Sequence, residues 1–188
     1  TGTVSSPCTA KTATFSVSTI ANSIVDGPRT VNLSLGPVTT GTAAVGPQGT
    51  AILQINDNDL GGALHFTASG YSVKEAFGII TLSVRRDGGL AGPATFNYAT
   101  QDGTAKAGID YTAKSGSHTF RPGEFFAQFS VPVIPNTRDD GDRTFNVVLS
   151  APTGGMTLGS PSTATVTINE DDIGGVVQFT APVFTVSE

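Results

Sequence analysis

The chain contains a single cysteine, Cys8, among its 188 residues. An intrachain disulfide is therefore impossible, and cysteine usage does not reveal the redox compartment. A thiol nucleophile needs an oriented base, and the only histidines, His65 and His118, lie inside stretches that alternate like strands. We therefore expect these three residues to be structural and the chain to be non-enzymatic.

Charged residues are scarce as well, at 13% of the chain against about 25% in average soluble domains. The net charge is −5 and the ten basic residues are scattered, so the basic patch of a nucleic-acid-binding protein is missing. No apolar run approaches the roughly 20 residues that a membrane-spanning helix requires. We therefore expect no nucleic-acid partner and no membrane insertion.

Serine, threonine and glycine are abundant in place of charged residues. These residue types suit polar strand faces and tight turns better than helix surfaces. Helical periodicity is nowhere sustained, whereas seven strand-like stretches follow residue 63, the first of them interrupted at Ser69-Gly70. They cover residues 65–74, 78–86, 94–100, 115–120, 127–134, 144–150 and 162–169. Seven antiparallel strands in about 110 residues predict an all-β, immunoglobulin-like β-sandwich.

The sequence also repeats itself. The segment ILQINDNDLGG at 52–62 resembles VTINEDDIGG at 166–175, and ALHFTASGYSVKE at 63–75 resembles VVQFTAPVFTVSE at 176–188, both displaced by 113 residues. A weaker match sets 15–35 beside 129–150, displaced by 114 residues. These matches predict a tandem repeat of about 113 residues. Its boundaries fall at Gly61-Gly62 and Gly174-Gly175, which we expect to be short linkers with a free backbone.

These boundaries divide the chain into three parts. Residues 1–62 form the second half of one unit, 63–175 a complete unit, and 176–188 the first strand of a further repeat. A half sandwich has open strand edges and an uncovered apolar face, so we expect 1–62 to be unstable alone. Either 177–187 or a neighbouring chain completes it by strand pairing, or the chain is a piece of a longer array.

The motifs of the complete unit resemble a known family. The stretch QDGTAKAGIDYTAKSGSHTFRPGEFFAQFSVPVI, followed by TFNVVLSAPTGGMTLGSPSTATVTINEDD, resembles the Calx-beta domain over nearly all of 63–175, and 1–62 is similar to its C-terminal half. The resemblance implies a Ca²⁺-binding sandwich of the kind used in exchanger regulation, integrin-type receptors and large bacterial surface or secreted proteins.

On this basis we expect a non-enzymatic, calcium-binding structural or adhesive repeat of a larger extracellular or cell-surface protein. The alternatives are a regulatory calcium-sensor module and a noncatalytic accessory domain of a secreted enzyme. The expected partners are neighbouring repeats of the same polypeptide and an unidentified protein or carbohydrate ligand.

Acidic residues are concentrated in two segments of the chain. These are the loop after residue 138 and the segment that follows the strand-like residues 162–169. Ca²⁺ takes six to eight oxygen ligands and would relieve the repulsion among such carboxylates. Carried over from the family pattern, the implied metal ligands are Glu75, Asp102, Asp140, Asp142, Glu170, Asp171 and Asp172. Asp110 is expected to cap a turn instead.

The chain departs from the family pattern in the loop before residue 144. Pro135 and Asn136 stand where acidic residues are usual in the family, and Arg143 replaces a glutamate. Asp139 restores part of the negative charge that these changes remove. A guanidinium does not lose its proton, so Arg143 could neutralise the aspartates in place of one ion. We therefore expect fewer ions or weaker binding. In the half-units, Asp26, Asp57, Asp59 and Glu188 occupy the corresponding positions, where we expect no ion to bind.

Overall fold

The protein is built from strands, as its composition predicts. The computed structural model describes residues 2–5 and 12–187; Cys8 and Glu188 lie outside these ranges. Its strands are β1 (Arg29–Ser34), β2 (Thr50–Ile55), β3 (Ala63–Phe66), β4 (Gly70–Lys74), β5 (Ile79–Asp87), β6 (Ala94–Asp102), β7 (Ser115–Phe120), β8 (Phe126–Pro132), β9 (Arg143–Ser150), β10 (Thr157–Leu158) and β11 (Thr163–Asn169), with a short 3₁₀ helix at Glu75–Phe77. Among the described residues, no helix is long and apolar enough to cross a membrane.

Strands β3 to β11 form a two-sheet sandwich. One sheet has the order β10-β3-β5-β8, and the other has the order β4-β11-β9-β6-β7. Five of the strand pairs are antiparallel, while β4 pairs with β11 and β10 pairs with β3 in parallel. The immunoglobulin-like architecture matches the prediction from sequence.

The sandwich has nine strands instead of the seven that the sequence predicts. The first predicted strand breaks before Gly70, and its two parts join different sheets as β3 and β4. The two-residue strand β10 is too short to show any alternation, because a period of two needs at least four residues to be recognised. Pattern analysis therefore missed β10, and although it placed an interruption at Ser69-Gly70, it counted β3 and β4 as one strand.

The core consists of residues that alternate along both sheets, as the pleat of a strand requires. Its largest members are aromatic, and Tyr111 stacks on Phe145 with ring centroids 4.2 Å apart. Of the adjacent pair at the start of β5, Ile80 packs against the core and Ile79 is exposed. The fully buried apolar side chains include Leu64, Phe66, Leu82, Val84, Phe96, Phe120, Val131, Phe145, Val147, Leu149 and Val166.

Residues before the sandwich form a separate two-stranded hairpin of β1 and β2. Val31 lies opposite Leu53 in this hairpin, and the repeat-related pair Phe145 and Val166 lies opposite in the pairing of β9 with β11. Because all six residue pairs of the hairpin have such counterparts, the hairpin reproduces the register of two neighbouring strands of the sandwich. The tandem repeat itself stays a prediction.

The glycine pair between hairpin and sandwich is fixed in place, contrary to the prediction of a free linker. Leu60 O accepts a hydrogen bond from Ala91 N (3.1 Å), and Gly62 O accepts one from Thr157 N (2.9 Å). A Cβ atom on Gly61 would lie 2.1 Å from the carbonyl carbon of Gly155. Glycine is needed here for the close approach of two backbones and not for freedom of motion.

Arg86 holds the same junction from inside the sandwich. Its side chain is fully buried, and it donates hydrogen bonds to the carbonyl oxygens of Gly61 (2.7 Å), Ala91 (2.7 Å) and Gly92 (3.2 Å). Two of these carbonyls, those of Gly61 and Gly92, belong to buried residues, and leaving a buried carbonyl without a donor costs about 1–3 kcal/mol. Arg86 therefore ties the linker to the loop after β5.

We predict that Arg86→Met lowers the free energy of unfolding by about 3 kcal/mol, because methionine fills the space but donates no hydrogen bond. Urea unfolding of the whole chain measures this change. Arg85→Met is the matched control, since Arg85 is half exposed and pairs with Asp87 at the surface, where an ion pair contributes about 0–1 kcal/mol. Equal losses in the two variants would contradict the assigned role.

Candidate metal centre

Acidic side chains from three segments meet at the end of the sandwich where β4 and β11 both terminate. The parallel pairing sets Lys74 beside Asn169, so the residues that follow, Glu75 and Glu170, leave neighbouring strand ends. The loop before β9 adds further carboxylates, because Arg143 lies opposite Ile168 at the same end of β11. The strand register alone therefore concentrates negative charge here.

Three of these carboxylates lie close enough to share one ion. Ligand atoms of Glu75, Glu170 and Asp171 are all within 4.8 Å of one another. Two ligands of the same Ca²⁺ ion are separated by no more than about 5 Å, twice the usual Ca–O distance of about 2.3–2.6 Å. The group therefore has the dimensions of part of a calcium coordination shell.

Glu170 organises the backbone around the cluster. Its Oε1 accepts hydrogen bonds from the backbone N–H groups of Asp171 (2.9 Å) and Asp172 (2.8 Å), and its Oε2 accepts one from Asp140 N (3.0 Å). These donors lower the pKa of Glu170, with Asp140 N the largest cause. Its own N–H donates to Asp142 Oδ1 (2.9 Å), so Asp142 helps to close the loop.

Glu75 is the buried member of the group, at 5% exposure. Burial raises the pKa of its carboxyl group, and the charges of Glu170 and Asp140 add to this effect. Asn136 opposes it, because both its backbone N–H (2.7 Å) and its side-chain amide donate to Glu75 Oε1. Asn136, which stands where the family pattern has an acidic residue, thus donates hydrogen bonds to the candidate ligand Glu75.

Asp172 carries a carboxylate oxygen, Oδ2, that is buried and accepts no hydrogen bond. The pKa of Asp172 is raised by burial and by the nearby charges of Glu170, Asp171, Asp139 and Asp140. A buried acceptor without a donor is costly, and a cation would compensate both the charge and the missing bond. Asp171 Oδ1 accepts a hydrogen bond from Ala76 N (3.3 Å), which links the C-terminal stretch to the 3₁₀ helix.

Arg143 lies among the remaining carboxylates. Its guanidinium contacts Asp140 Oδ2 at 2.9 Å and Asp110 Oδ1 at 3.3 Å. Asp110 also accepts a hydrogen bond from Lys106 N at 2.6 Å, in line with the turn role expected for it. Beside Arg143 is a cavity of about 10 Å³, lined by Glu75, Asp110, Asp140, Gly141, Arg143, Ile168 and Glu170, and a cavity of this size holds about one water molecule.

Asp102 is not a member of the group of three carboxylates that the described residues bring together. Its Oδ1 accepts hydrogen bonds from the Tyr111 hydroxyl (2.7 Å) and from Ala107 N (3.0 Å). The Tyr111 hydroxyl is the largest cause that lowers the pKa of Asp102. Burial, together with this bond, raises the pKa of Tyr111 to about 12. Asp102 therefore anchors a buried tyrosine.

The sequence analysis singled out Asn136 and Asp139 but did not identify the contacts by which they support the cluster. Asp139 Oδ2 accepts a hydrogen bond from Gly174 N (3.0 Å), which fixes the chain just after the cluster. The sequence shows the negative charge of Asp139, but the hydrogen-bond partner of Asp139 is 35 residues away in the chain. Nothing in the local pattern indicates this contact.

We predict opposite effects on stability from Glu75→Gln and Asp102→Asn at neutral pH in the presence of a chelator. The pKa of Glu75 is raised in the folded state, so its ionisation above that pKa disfavours folding, and Glu75→Gln should increase the free energy of unfolding. The pKa of Asp102 is lowered, so its ionised form favours folding, and Asp102→Asn should decrease it.

Urea unfolding at neutral pH and at about pH 3 measures both effects. The gain from Glu75→Gln should disappear below the ordinary pKa of glutamate, where the carboxyl group is protonated in both states. The loss from Asp102→Asn should shrink as the pH falls through the lowered pKa of Asp102. A destabilised Glu75→Gln variant at neutral pH would contradict the electrostatic description.

The chain matches proteins whose structure and family are known. The model of the Calx-beta domain matches residues 57–172. The sodium/calcium exchanger Calx of Drosophila melanogaster is 36% identical over 125 residues, which are 66% of this chain and 13% of the exchanger. The matched segment is therefore a small part of that relative.

Two solved structures share the fold. The apo form of the Calx CBD1 domain is 35% identical with a TM-score of 0.57, and the match covers 58% of this chain and 97% of that domain. The calcium binding domain CBD12 of CALX1.1 is 36% identical with a TM-score of 0.57, covering 66% of this chain and 51% of that one. By sequence and by fold, this chain belongs to the Calx-beta domain family.

Proposed function

We propose that the complete unit binds Ca²⁺ through the group of Glu75, Glu170 and Asp171, with Asp172 beside this group, and that ion binding regulates the conformation of the segment that follows Asp172. The observation that carries this proposal is Asp172 Oδ2, a buried carboxylate oxygen without a donor beside four other acidic residues. A hard divalent cation supplies what this atom lacks.

The chemistry of the site fits calcium. All candidate ligands are oxygen atoms, which Ca²⁺ prefers. Several of these oxygens already accept a backbone hydrogen bond, as Glu170 does from Asp140 N, but a carboxylate has about four lone-pair sites. An oxygen can therefore accept one N–H and still coordinate the ion, and the N–H groups hold it in position.

The connections of the site support a conformational effect. Asp171 is bonded to the 3₁₀ helix through Ala76 N, and Gly174 is bonded to the β8–β9 loop through Asp139. An ion shared by these segments would fix the direction in which the chain leaves the sandwich. Without it, mutual repulsion among the carboxylates favours separation of the segments.

We propose first that this conformational effect of ion binding has a regulatory role. One relative is a sodium/calcium exchanger, and a solved relative is described as a calcium binding domain. A sensor needs an affinity of about 10⁻⁷–10⁻⁵ M, whereas extracellular modules bind at about 10⁻⁴–10⁻³ M. The measured affinity therefore separates regulation from the structural or adhesive role.

The structural role is the second candidate, and the fixed junction at Leu60–Gly62 favours it. A chain of units joined by such junctions, and stiffened by ions at the other end of each unit, would form an extended rod. Adhesion through a protein or carbohydrate ligand, an accessory role beside a secreted enzyme, and an extracellular location all stay predictions. The absence of catalysis is likewise our expectation for this module.

Calcium titration tests the binding proposal. We expect heat of binding by calorimetry, and stabilisation by about 2.7 kcal/mol when free Ca²⁺ reaches 100 times the dissociation constant. Glu170→Gln should weaken binding at least about tenfold, because it removes a charge from the centre of the cluster. Glu124→Gln is the control, since Glu124 caps the turn at Arg121 and should leave binding unchanged. No heat and no stabilisation in the wild type at millimolar Ca²⁺ would refute the proposal.

Arg143 should limit how strongly Ca²⁺ binds, because its guanidinium already neutralises Asp140 and Asp110. We predict that Arg143→Gln strengthens calcium binding by about tenfold or adds a second ion, and lowers stability in the presence of a chelator. Arg143→Lys keeps the charge and should resemble the wild type. Calorimetry gives affinity and stoichiometry in one experiment, and unchanged values for Arg143→Gln would exclude this role.

A further inference from the structure

His65 is held at both of its ring nitrogens. Its Nε2 lies 2.8 Å from Asp87 Oδ2, and its Nδ1 lies 2.9 Å from the backbone oxygen of Phe66. A backbone carbonyl and an ionised carboxylate are both acceptors, and a neutral imidazole carries only one N–H group. Only the doubly protonated imidazolium therefore donates a hydrogen bond in both contacts at once.

The carboxylate partner of His65 is held in its ionised form. The hydrogen bond from His65 is the largest cause that lowers the pKa of Asp87, burial opposes it, and the charge of Arg85 adds to the lowering. Arg85 donates to the other carboxylate oxygen, Oδ1, at 3.2 Å, so Oδ2 stays available to His65. Because Asp87 is ionised, the proton shared in this contact belongs to the imidazole ring.

The charges that face His65 all come from β5. His65 lies opposite Arg85 in the pairing of β3 with β5, and alternation along β5 places Asp87 on the same outer face of the sheet. On the other side of β3 is the two-residue strand β10, which carries no titratable group, and β8 beyond β5 carries none either. In the described part of the chain, Arg85 and Asp87 are therefore the charged groups of the strands around His65.

Asp87 ends the strand that leads into the loop holding the linker. In that loop, Ala91 N donates to Leu60 O (3.1 Å). A Cβ atom on Gly62 would lie 2.7 Å from the backbone oxygen of Asp87, so the end of β5 also approaches the linker closely. His65 belongs to β3, the strand that begins directly after Gly62. The contact of His65 with Asp87 therefore joins the strand that follows the linker to the strand that leads into the loop packed on it.

We propose that His65 makes the packing of the linker sensitive to pH. The imidazolium donates to both Asp87 and Phe66, whereas the neutral ring donates to only one of them. Histidine side chains change charge between about pH 5 and 8, so one of the two bonds is lost as the pH rises through this range. The end of β5 is then held less firmly against β3, and so is the loop that bonds to Leu60.

The direction of the effect follows from the form of the ring that makes the contacts. Both bonds belong to the protonated ring, so their contribution to stability is present in mildly acidic solution and is lost as the pH rises through the histidine range. In stronger acid the contribution disappears when Asp87 takes up a proton, at a lower pH than for an ordinary aspartate because its pKa is lowered. The linker should therefore be held best in mildly acidic solution.

Nitrogen-15 NMR of the whole chain reads the protonation of the ring directly, and the His65→Gln variant assigns the signals. At about pH 5.5 both ring nitrogens of His65 should carry a proton, and both N–H signals should be visible because hydrogen bonds slow their exchange with water. A ring with a single N–H group at this pH would overturn the proposal.

Amide hydrogen exchange measures the effect on the linker. The N–H groups of Ala91 and Thr157 donate to Leu60 O and Gly62 O, and both are followed in the presence of a chelator, so that calcium plays no part. After correction for the intrinsic pH dependence of exchange, their protection should fall about twofold to fivefold between about pH 5.5 and about pH 8, as expected for a partly exposed ion pair. Protection of Val147 N–H in β9 should stay constant, because the effect is local.

Two variants and one control assign this pH dependence to the contact. His65→Gln and Asp87→Asn should each remove it at Ala91 and Thr157, and both replace side chains on the outer face of the sheet, so the core is left intact. His118→Gln is the matched control, because His118 Nε2 makes no hydrogen bond within the described residues, and it should behave like the wild type. An unchanged pH dependence in His65→Gln, or its loss in His118→Gln, would refute the proposal.

Discussion

The parallel pairing of β4 with β11 is the constraint on which the other features of this molecule depend. It exists because the first strand of the unit leaves one sheet after Phe66 and joins the other at Gly70. Its register places Lys74 beside Asn169, and this contact brings Glu75 next to Glu170. One strand pairing thus determines which acidic side chains meet at the candidate metal centre.

The acidic cluster contains carboxylates in two different electrostatic conditions. Glu170 is surrounded by backbone N–H donors, which lower its pKa and stabilise its charge. Glu75 and Asp172 are desolvated and lie near other negative charges, which raises the pKa of each. Arg143 compensates only the side of the cluster that holds Asp110 and Asp140. The uncompensated charge therefore lies on the side where Ca²⁺ is proposed to bind.

The two ends of the sandwich hold the adjoining chain by different contacts. At the hairpin end, Arg86 and backbone hydrogen bonds hold the linker through buried groups, so this junction is stiff without any ion. At the other end, Gly174 is attached through the side chain of Asp139, and a Cβ atom on Gly175 would meet nothing within 4 Å. The first junction is therefore held by buried groups of the sandwich, and the second is held by a side chain of the acidic loop.

Local patterns in the sequence were sufficient to predict the all-β class, the sandwich, the family and most of the acidic cluster. Alternation identifies strands because the pleat repeats every two residues, and the motif around Asp102 and Tyr111 is long enough to be specific. The pattern did not separate Asp102, which binds a buried tyrosine, from Glu75, which lies beside Glu170. The pattern also predicted a flexible backbone at Gly61, where the tertiary structure requires glycine because two backbone segments pack closely together. These properties depend on partners dozens of residues away, whose positions are determined by strand register and by packing between sheets. The sequence by itself therefore determined which residues carry charge and which face inward, and only the tertiary structure decided which of the charges meet.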